Sequence, residues 1–342
     1  MDAHIIDRIR GKKILVTGGT GTVGQNLVRK LLTCEPEVVR VFSRDEHKQF
    51  EMQSEFSRNT YLGRIRFLLG DVRDRERLLR AMEGIDIVFH LAALKHVPAC
   101  EYNPYEAVKT NVLGTQNVID CAIEQNISSV IYTSTDKAAS PTNTMGASKL
   151  LAERLISSAD QWKGARKIKF SSVRFGNVLN SRGSVVPVFA KQILRGGPIT
   201  VTEGSMSRFF MDVDQAVDLI FESFAMSQGG ETFVFKMPVL RIGDLAQAMV
   251  DLSECEIEIV SIGLRPGEKM YEELMSEEES SRALENQDLF IILPYYKEAE
   301  GATACYPGTS LATAKVYSSA DEEVLTLEQI KTMLKHQLGT NL

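Results

Sequence analysis

The chain has 342 residues, a net charge of −6, and proportions of hydrophobic (44%) and charged (25%) residues that are ordinary for a folded globular protein. The negative charge disfavours a general nucleic-acid-binding surface, and no apolar run reaches the roughly 20 residues that span a bilayer. Five scattered cysteines and five unclustered histidines predict no metal site and indicate a reduced cytoplasmic location.

The first elements along the chain predict a nucleotide-binding unit. An apolar run at 12–17 predicts a strand, and the apolar spacing at 26–32 predicts a helix. The glycine-rich turn 18–24 lies between them, an order that can place a pyrophosphate on the helix N-terminus. The predicted cofactor contacts in this turn are Gly18, Thr20, Gly21, Thr22 and Val23.

The residues after the second predicted strand, 38–42, bear on the choice of dinucleotide. They lie roughly 20 residues beyond the last glycine, where an acidic residue would bind the ribose hydroxyls of NAD. Here Ser43 and Arg44 come first and Lys48 follows one turn later. Hydroxyl, guanidinium and ammonium groups suit a 2′-phosphate, so we predict NADP, while Asp45 keeps NAD as the alternative.

Two further strands are predicted at 64–69 and 85–90, followed by a helix over 105–126. His90 lies in an apolar strand, so we interpret it as a packed core residue. Lys95 could face cofactor, substrate or water, and Asn111 could bond internally or reach a neighbouring strand. The predicted cofactor contacts of this region are Asp71, Val72, Ala92, Ala93, Lys95 and Asn111.

The alternation of strands and helices predicts an α/β fold with a doubly wound parallel Rossmann sheet. We assign residues 1–178 to a dinucleotide-binding domain and 179–342 to a smaller, interleaved C-terminal substrate-binding part. Within the second part, 199–202 and 288–294 read as strands and 318–338 as a helix. The acidic run from Glu272 to Glu279 reads as solvated surface.

The stretch 133–149 carries the densest chemistry. Asp136 and Lys137 follow a predicted strand, 129–133, and Lys149 lies on a helix that begins near Thr144. Open α/β sheets bind their ligands at such strand ends. A site for proton transfer is therefore predicted beside the nucleotide.

These motifs together resemble the extended short-chain dehydrogenase/reductases, and within them the UDP-N-acetylglucosamine 4,6-dehydratases of surface-glycan synthesis. The resemblance covers about residues 11 to 290. Its matching segments are 17–21, 43–46, 93–98, 134–138, 174–178 and 265–269.

One position departs from the wider superfamily. The usual signature places an acid/base Tyr one helical turn before the Lys, and here that residue is Met145. A thioether has no proton to exchange, so Met145 cannot replace the Tyr. A branch of the dehydratases resembles this sequence in having Met there while keeping the Asp-Lys pair.

The resemblance implies NADP-dependent oxidation at carbon 4, loss of water across carbons 5 and 6, and hydride return to carbon 6. We expect Lys137 to be the base at carbon 5, which requires a lowered pKa, and Asp136 the acid at carbon 6. Thr135 would orient the carbon 4 hydroxyl, and Lys149 would bind the nicotinamide ribose. Asp136 is the preferred acceptor of the carbon 4 hydroxyl proton, and retention at carbon 5 is favoured over inversion.

The resemblance also implies substrate contacts and a homo-oligomer. Arg208 and Arg265 are expected to bind the diphosphate, because guanidinium groups pair bidentately with phosphate oxygens. The full set of expected nucleotide-sugar contacts is Lys95, Asn143, Met145, Asn177, Val185, Thr200, Thr202, Met206, Arg208, Arg265 and Glu268. The alternatives are a nucleotide-sugar 4-epimerase, which would ordinarily need the missing Tyr, and a non-catalytic NADP-binding sensor.

Overall fold

The computed structural model describes residues 2–56, 63–299 and 301–338. Residues 1 and 342, the outer bounds of the two predicted parts, lie outside the described residues. Its strands are β1 Lys13–Thr17, β2 Val38–Ser43, β3 Ile65–Leu69, β4 Ile87–His90, β5 Ser129–Thr133, β6 Lys169–Arg174, β7 Asn177–Val178, β8 Ile199–Val201, β9 Ser207–Met211, β10 Thr232–Phe235, β11 Val239–Arg241, β12 Ile259–Ser261, β13 Glu273–Met275, β14 Ala283–Glu285, β15 Leu289–Ile292, β16 Ser310–Leu311 and β17 Tyr317–Ser318.

The helices separate these strands along the chain. They are α1 Ala3–Ile9, α2 Thr22–Thr33, α3 Glu46–Phe56, α4 Arg75–Met82, α5 Val97–Tyr102, α6 Pro104–Ala107, α7 Gly114–Glu124, α8 Thr144–Trp162, α9 Val185–Ile193, α10 Val213–Met226, α11 Ile242–Ser253, α12 Glu277–Ser280 and α13 Leu327–Leu338. A π-helical segment, Val108–Leu113, joins α6 to α7, and 3₁₀ turns occur at Asp136–Ala138 and Ala302–Cys305.

The central sheet confirms the predicted doubly wound fold. Within the described residues it has ten strands in the order β16-β14-β15-β10-β6-β5-β4-β1-β2-β3. The strands from β3 across to β10 are parallel, and β15, β14 and β16 extend the sheet antiparallel to their neighbours. The sheet takes strands from both sides of residue 178.

Both faces of this sheet are covered, which explains why its strands read as continuous apolar runs. In β1, Ile14 and Val16 pack on one face with Leu27 of α2, whereas Leu15 packs on the other face with Leu78 of α4. A separate apolar cluster, which includes Phe189, Phe210, Leu245 and Ile330, forms the core of the C-terminal part.

The predicted helix over 318–338 is wrong in its first nine residues, 318–326. Tyr317 and Ser318 form β17, which pairs antiparallel with β13. The helix itself starts at Leu327, where Thr326 accepts a hydrogen bond from the backbone N–H of Gln329. Strand pairing with a distant segment therefore prevails over the local helical spacing.

A buried ion network joins the two halves of the chain. Arg174, at the end of β6 and 1% exposed, donates Nε and Nη2 to Glu153 of α8 at 3.1 and 2.6 Å. It also donates Nη1 and Nη2 to Glu279 of α12 at 2.9 and 3.0 Å, and Nη1 to the carbonyl of Leu274 at 2.8 Å. Burial acts to raise the pKa of Glu279, but the ion pair with Arg174 outweighs it and lowers the pKa to about 2.

The prediction of a solvated acidic run is therefore wrong for two of its members. Glu272 and Glu279 are each 4% exposed, because both lie against cations contributed by distant parts of the chain. Glu277 and Glu278 are exposed, as predicted.

Arg174→Ala should lower the free energy of unfolding by roughly 3–5 kcal/mol, because it leaves two buried carboxylates without their cation. Urea unfolding measures the change. Arg29→Ala is the control, since Arg29 pairs with Glu55 at a partly exposed site, and it should cost under about 1 kcal/mol. The contribution of Glu279 should be complete above its unfolded pKa and disappear as the pH falls towards 2. Equal losses in the two variants would contradict the structural role.

Candidate active site

The glycine turn lies between β1 and α2 at the carboxyl edge of the sheet. Gly18 has φ +68°, and a Cβ there would lie 2.7 Å from the backbone N of Ala92. The turn therefore packs directly against the exit of β4, which only glycine allows. Gly21 precedes α2 without a side-chain cap, so the N–H groups at the start of α2 are available to an anionic ligand.

A single cleft of about 800 Å³ runs from this turn to the end of β5. The residues that line it include most of the predicted site: Gly18, Thr20, Gly21, Thr22, Val23, Ser43, Arg44, Lys48, Asp71, Val72, Ala92, Ala93, Lys95, Thr135, Lys137, Met145, Lys149, Asn177 and Val185. Its elongated lining and the uncapped helix start suit a dinucleotide, which would lie across the ends of β1, β2 and β4.

Several predicted residues lie outside the cleft lining. Asn111 is buried, accepts from the N–H of Leu94 at 2.7 Å, and donates to Ser148 at 2.9 Å. Asn143 caps α8 by accepting from the N–H of Gly146 at 2.9 Å. Thr200 bonds with Gln192 of α9.

The remaining predicted substrate residues outside the lining are Thr202, Met206, Arg208, Arg265 and Glu268. Thr202 donates to the sulfur of Met206, and Met206 is a buried residue. Arg208 donates to the carbonyl oxygens of Ser207 and Lys269, both at 2.7 Å. Arg265 is exposed, and its backbone N–H donates to Glu268 at 3.1 Å. The structure thus does not bring these five groups to the cleft surface.

At the β2 end of the cleft, basic and acidic side chains lie close together and pair with one another. The guanidinium of Arg44 is about half exposed and lies 3.6 Å from Asp71. The ammonium of Lys48 forms a hydrogen-bonded ion pair with the carboxylate of Asp45, and this hydrogen bond lowers the pKa of Asp45. The carboxylate of Asp45 is therefore already paired with Lys48, whereas Arg44 still has exposed N–H donors.

At the other end, Asp136 and Lys137 form a tight pair. Asp136 is fully buried, and its Oδ1 accepts from Thr135 at 2.7 Å, from the backbone N–H of Lys137 at 2.9 Å and from Lys137 Nζ at 3.0 Å. Its Oδ2 is buried without a partner among the described residues. One carboxylate oxygen is thus bound and the other is buried without a partner, and Asp136 itself lies behind the residues that line the cleft.

Glu272 is a second carboxylate at this site, which the sequence analysis missed. Its Oε1 lies 3.5 Å from Lys137 Nζ and 3.8 Å from Arg208 Nε. Burial would lower the pKa of Lys137, but Asp136 and Glu272 outweigh burial, so the pKa is raised. The predicted lowering is wrong for this state of the protein: Lys137 is held as an ammonium.

Lys149 has the opposite electrostatic environment. Its Nζ donates to the carbonyl of Thr133 at 2.6 Å and lies 4.4 Å from the centre of the Tyr132 ring. Burial lowers the pKa of Lys149 to about 7, although Glu153 acts to raise it. The amine is therefore close to half neutral near pH 7. His90 is confirmed as a core residue, bonded to Thr17 and Thr115, and burial lowers its pKa to about 3.

Met145 occupies the cleft wall one turn before Lys149 on α8 and is 4% exposed. The next residue, Gly146, lies so close to the carbonyl of Lys137 that a Cβ would be 2.1 Å from its oxygen. The start of α8 therefore abuts the Asp136–Lys137 turn. Met145 therefore supplies no hydroxyl to this part of the cleft.

A family model described as polysaccharide biosynthesis protein matches residues 14–294. The chain belongs to this family. The matched region contains the glycine turn, the Asp136–Lys137 pair, α8 and Glu272. The fold is that of solved Rossmann-type nucleotide-sugar dehydratases and epimerases.

Three relatives cover most of the chain. A protein of Methanocaldococcus jannaschii, named an uncharacterized membrane protein, is 47% identical over 333 residues, 95% of this chain and 96% of the relative. A UDP-N-acetylglucosamine 4,6-dehydratase (inverting) of Campylobacter jejuni is 42% identical over 289 residues, 84% of each chain. A UDP-glucose 4-epimerase of Rickettsia rickettsii is 39% identical over 328 residues, 94% of this chain and 95% of the relative.

Among solved structures, Pen from Bacillus thuringiensis matches with a TM-score of 0.91 and 47% identity, covering 96% of this chain and 99% of that chain. In residues 2–56, 63–299 and 301–338, no helix combines the length and apolar character needed to cross a bilayer. Over the same ranges, no cluster of His, Cys, Asp or Glu could hold a metal ion.

Gly18→Ala should weaken nicotinamide-dinucleotide binding strongly, because the new Cβ must push the glycine turn away from Ala92. Gly11→Ala is a matched control: its φ is +67°, but nothing lies within 4 Å of its Cβ. Both variants carry the backbone strain, and only Gly18→Ala adds the collision. Calorimetric titration with NADP and NAD, together with thermal unfolding, measures the effects. Equal binding by the two variants would contradict the placement of the dinucleotide at this turn.

Proposed function

We propose that this protein is an NADP-dependent UDP-N-acetylglucosamine 4,6-dehydratase that forms a UDP-2-acetamido-4-keto-2,6-dideoxyhexose for surface-glycan synthesis. The observation that carries the proposal is one cleft in which the glycine turn, Lys137 and Met145 meet, with Asp136 directly behind Lys137. The likeness to the Campylobacter jejuni dehydratase supports it. Dehydration needs an acid and a base beyond those of simple oxidation, and the Asp-Lys pair supplies both.

NADP is our preferred cofactor, with NAD as the alternative. The exposed donors of Arg44 suit a 2′-phosphate, and the pairing of Asp45 with Lys48 weakens the case for a ribose diol at this position. When bound, NADP accepts hydride from carbon 4 and returns it to carbon 6, so the cycle is redox-neutral. Lys149 would lie beside the nicotinamide ribose and add positive potential.

The proton steps are assigned to the strand-end residues. Thr135 orients the carbon 4 hydroxyl, and the unpartnered Oδ2 of Asp136 accepts its proton. The 4-keto group then acidifies carbon 5, where Lys137 removes the proton. Asp136, now protonated, gives its proton to the carbon 6 hydroxyl, which leaves as water. Lys137 must first lose its own ammonium proton to act as this base.

Retention at carbon 5 is favoured if Lys137 both removes and returns the proton, since one base works on one face of the sugar. The name of the Campylobacter jejuni relative supports inversion instead. For the nucleotide, Arg265 is our first candidate for the diphosphate because its side chain is exposed. Arg208 is second, because its guanidinium already donates to carbonyl oxygens.

A UDP-sugar 4-epimerase is the second candidate, favoured by the likeness to the Rickettsia enzyme. It would return hydride to carbon 4 and yield no 6-deoxy sugar. Met145 argues against it, because an epimerase of this type ordinarily uses the Tyr hydroxyl for proton transfer at carbon 4.

Incubation of the protein with UDP-N-acetylglucosamine in deuterated water should give a 6-deoxy product with one deuteron at carbon 5. Proton NMR detects the new methyl group and reports the configuration at carbon 5. Lys137→Ala should abolish deuterium entry, and Asp136→Asn should abolish turnover, because each removes a proton-transfer group. Lys191→Ala, on the exposed side of α9, is the control. A 4-epimer without a methyl signal would favour the epimerase, and normal exchange in Lys137→Ala would refute the base assignment.

Arg44→Ala should weaken NADP binding by ~10–100-fold while changing NAD binding little, because one charge-assisted contact to the 2′-phosphate is lost. Fluorescence titration with both dinucleotides measures the ratio. Arg75→Ala is the control, since Arg75 pairs with Glu124 away from the cleft. A parallel loss for NAD and NADP would rule out recognition of the phosphate by Arg44.

A further inference from the structure

Four charged side chains alternate in sign beneath the substrate end of the cleft. Asp136 and Glu272 lie 3.0 and 3.5 Å from Lys137 Nζ, and Arg208 lies 3.8 Å from Glu272. Lys269, on the segment that leads to β13, also faces Glu272. Asp136 and Lys137 share the 3₁₀ turn after β5, whereas Arg208 lies in β9 and Glu272 directly precedes β13, so the arrangement exists only in the folded chain.

The proton steps proposed above assign no role to Glu272. It is 4% exposed, and its Oε2 has no hydrogen-bond partner among the described residues. Burial raises the pKa of Glu272, opposed by Lys137, Arg208 and Lys269 and reinforced by Asp136. A buried carboxylate with an unused oxygen and an elevated pKa is a good proton acceptor.

We propose that Glu272 is a positioning residue that takes and stores the ammonium proton of Lys137, and so converts Lys137 into the base that acts at carbon 5. This inference rests on the proposed dehydration. The timing follows from charge: when Asp136 takes the carbon 4 hydroxyl proton, Lys137 loses one of its two neighbouring anions, and its proton is held less tightly.

The protons balance over the cycle. The carbon 4 hydroxyl proton goes to Asp136, and one Lys137 Nζ–H proton goes to Glu272. Neutral Lys137 takes the carbon 5 proton, while Asp136 passes its proton to the carbon 6 oxygen, which leaves as water. After hydride reaches carbon 6, Lys137 returns a proton to carbon 5 and then recovers the stored proton from Glu272. Asp136 and Glu272 finish as carboxylates and Lys137 as an ammonium.

Glu272→Gln tests the proposal, because an amide of the same size cannot store the proton. It should lower kcat by about 100-fold or more and change KM little. It should also slow deuterium entry at carbon 5 to the same extent. Glu272→Asp, which keeps the carboxylate, should restore much of the rate. Glu273→Gln is the matched control: the adjacent residue is only partly buried and lies outside the cluster. Thermal unfolding and NADP binding check that each variant folds.

A second measurement does not depend on turnover. Competitive labelling with acetic anhydride, followed by peptide mass spectrometry, gives the reactivity of Lys137 against pH in the protein without substrate. Removing one of its two anions should shift the Lys137 titration down by about 1 pH unit or more in Glu272→Gln, with no shift in Glu273→Gln.

The outcomes separate the two proposals. Loss of kcat together with the labelling shift supports storage of the proton by Glu272. A folded Glu272→Gln variant with wild-type kcat and deuterium entry, or with an unchanged Lys137 titration, overturns it. If the wild-type protein yields no 6-deoxy sugar, the dehydratase proposal fails, and proton storage fails with it; a labelling shift would then show only electrostatic coupling of Glu272 to Lys137.

Discussion

The ion network of Arg174 is the constraint on which the geometry of the site depends. Its guanidinium makes paired hydrogen bonds to Glu153 of α8 and Glu279 of α12, and it also donates to the carbonyl of Leu274. Glu153 lies one turn beyond Lys149, and Leu274 directly follows the Glu272–Glu273 pair. A single buried cation therefore fixes the spacing between the helix that carries Lys149 and the segment that carries Glu272. A planar guanidinium suits this task because both carboxylates can bind it bidentately.

Electrostatics distinguish the two lysines of the site. Lys149 is buried with one carboxylate, Glu153, in its surroundings, so burial prevails and the pKa falls to about 7. Lys137 lies close to both Asp136 and Glu272, whose negative charges outweigh the effect of burial and raise the pKa of Lys137. The pKa values of these two lysines, which line the same cleft, are therefore shifted in opposite directions. The number of carboxylates beside each lysine therefore sets the direction of its pKa shift.

The fold and the cleft could be predicted from the sequence because their determinants are local. The apolar run of β1, the turn after it and the amphipathic α2 are contiguous, and parallel strands bring their carboxyl ends to one edge. Glu272 and Glu279 could not be placed in the same way. Glu279 meets Arg174 across 105 positions of sequence, and an acidic run alone is typical of a solvated surface. Arg208 illustrates the same difficulty, since its carbonyl partner Lys269 lies 61 positions away.

The segment before β13 contacts the stretch from Lys137 to Asn143 at three points. Gly267 accepts from Thr142 and Asn143, the residues that precede α8. Lys269 donates to the carbonyl of Ser140, and Glu272 reaches Lys137. The loop between β5 and α8 is therefore held by a segment more than 100 residues later in sequence. Glu272, one of the two carboxylates that raise the pKa of Lys137, lies on that segment. The pKa of Lys137 therefore depends on the tertiary fold. A displacement of this segment would therefore alter the charge around Lys137 directly.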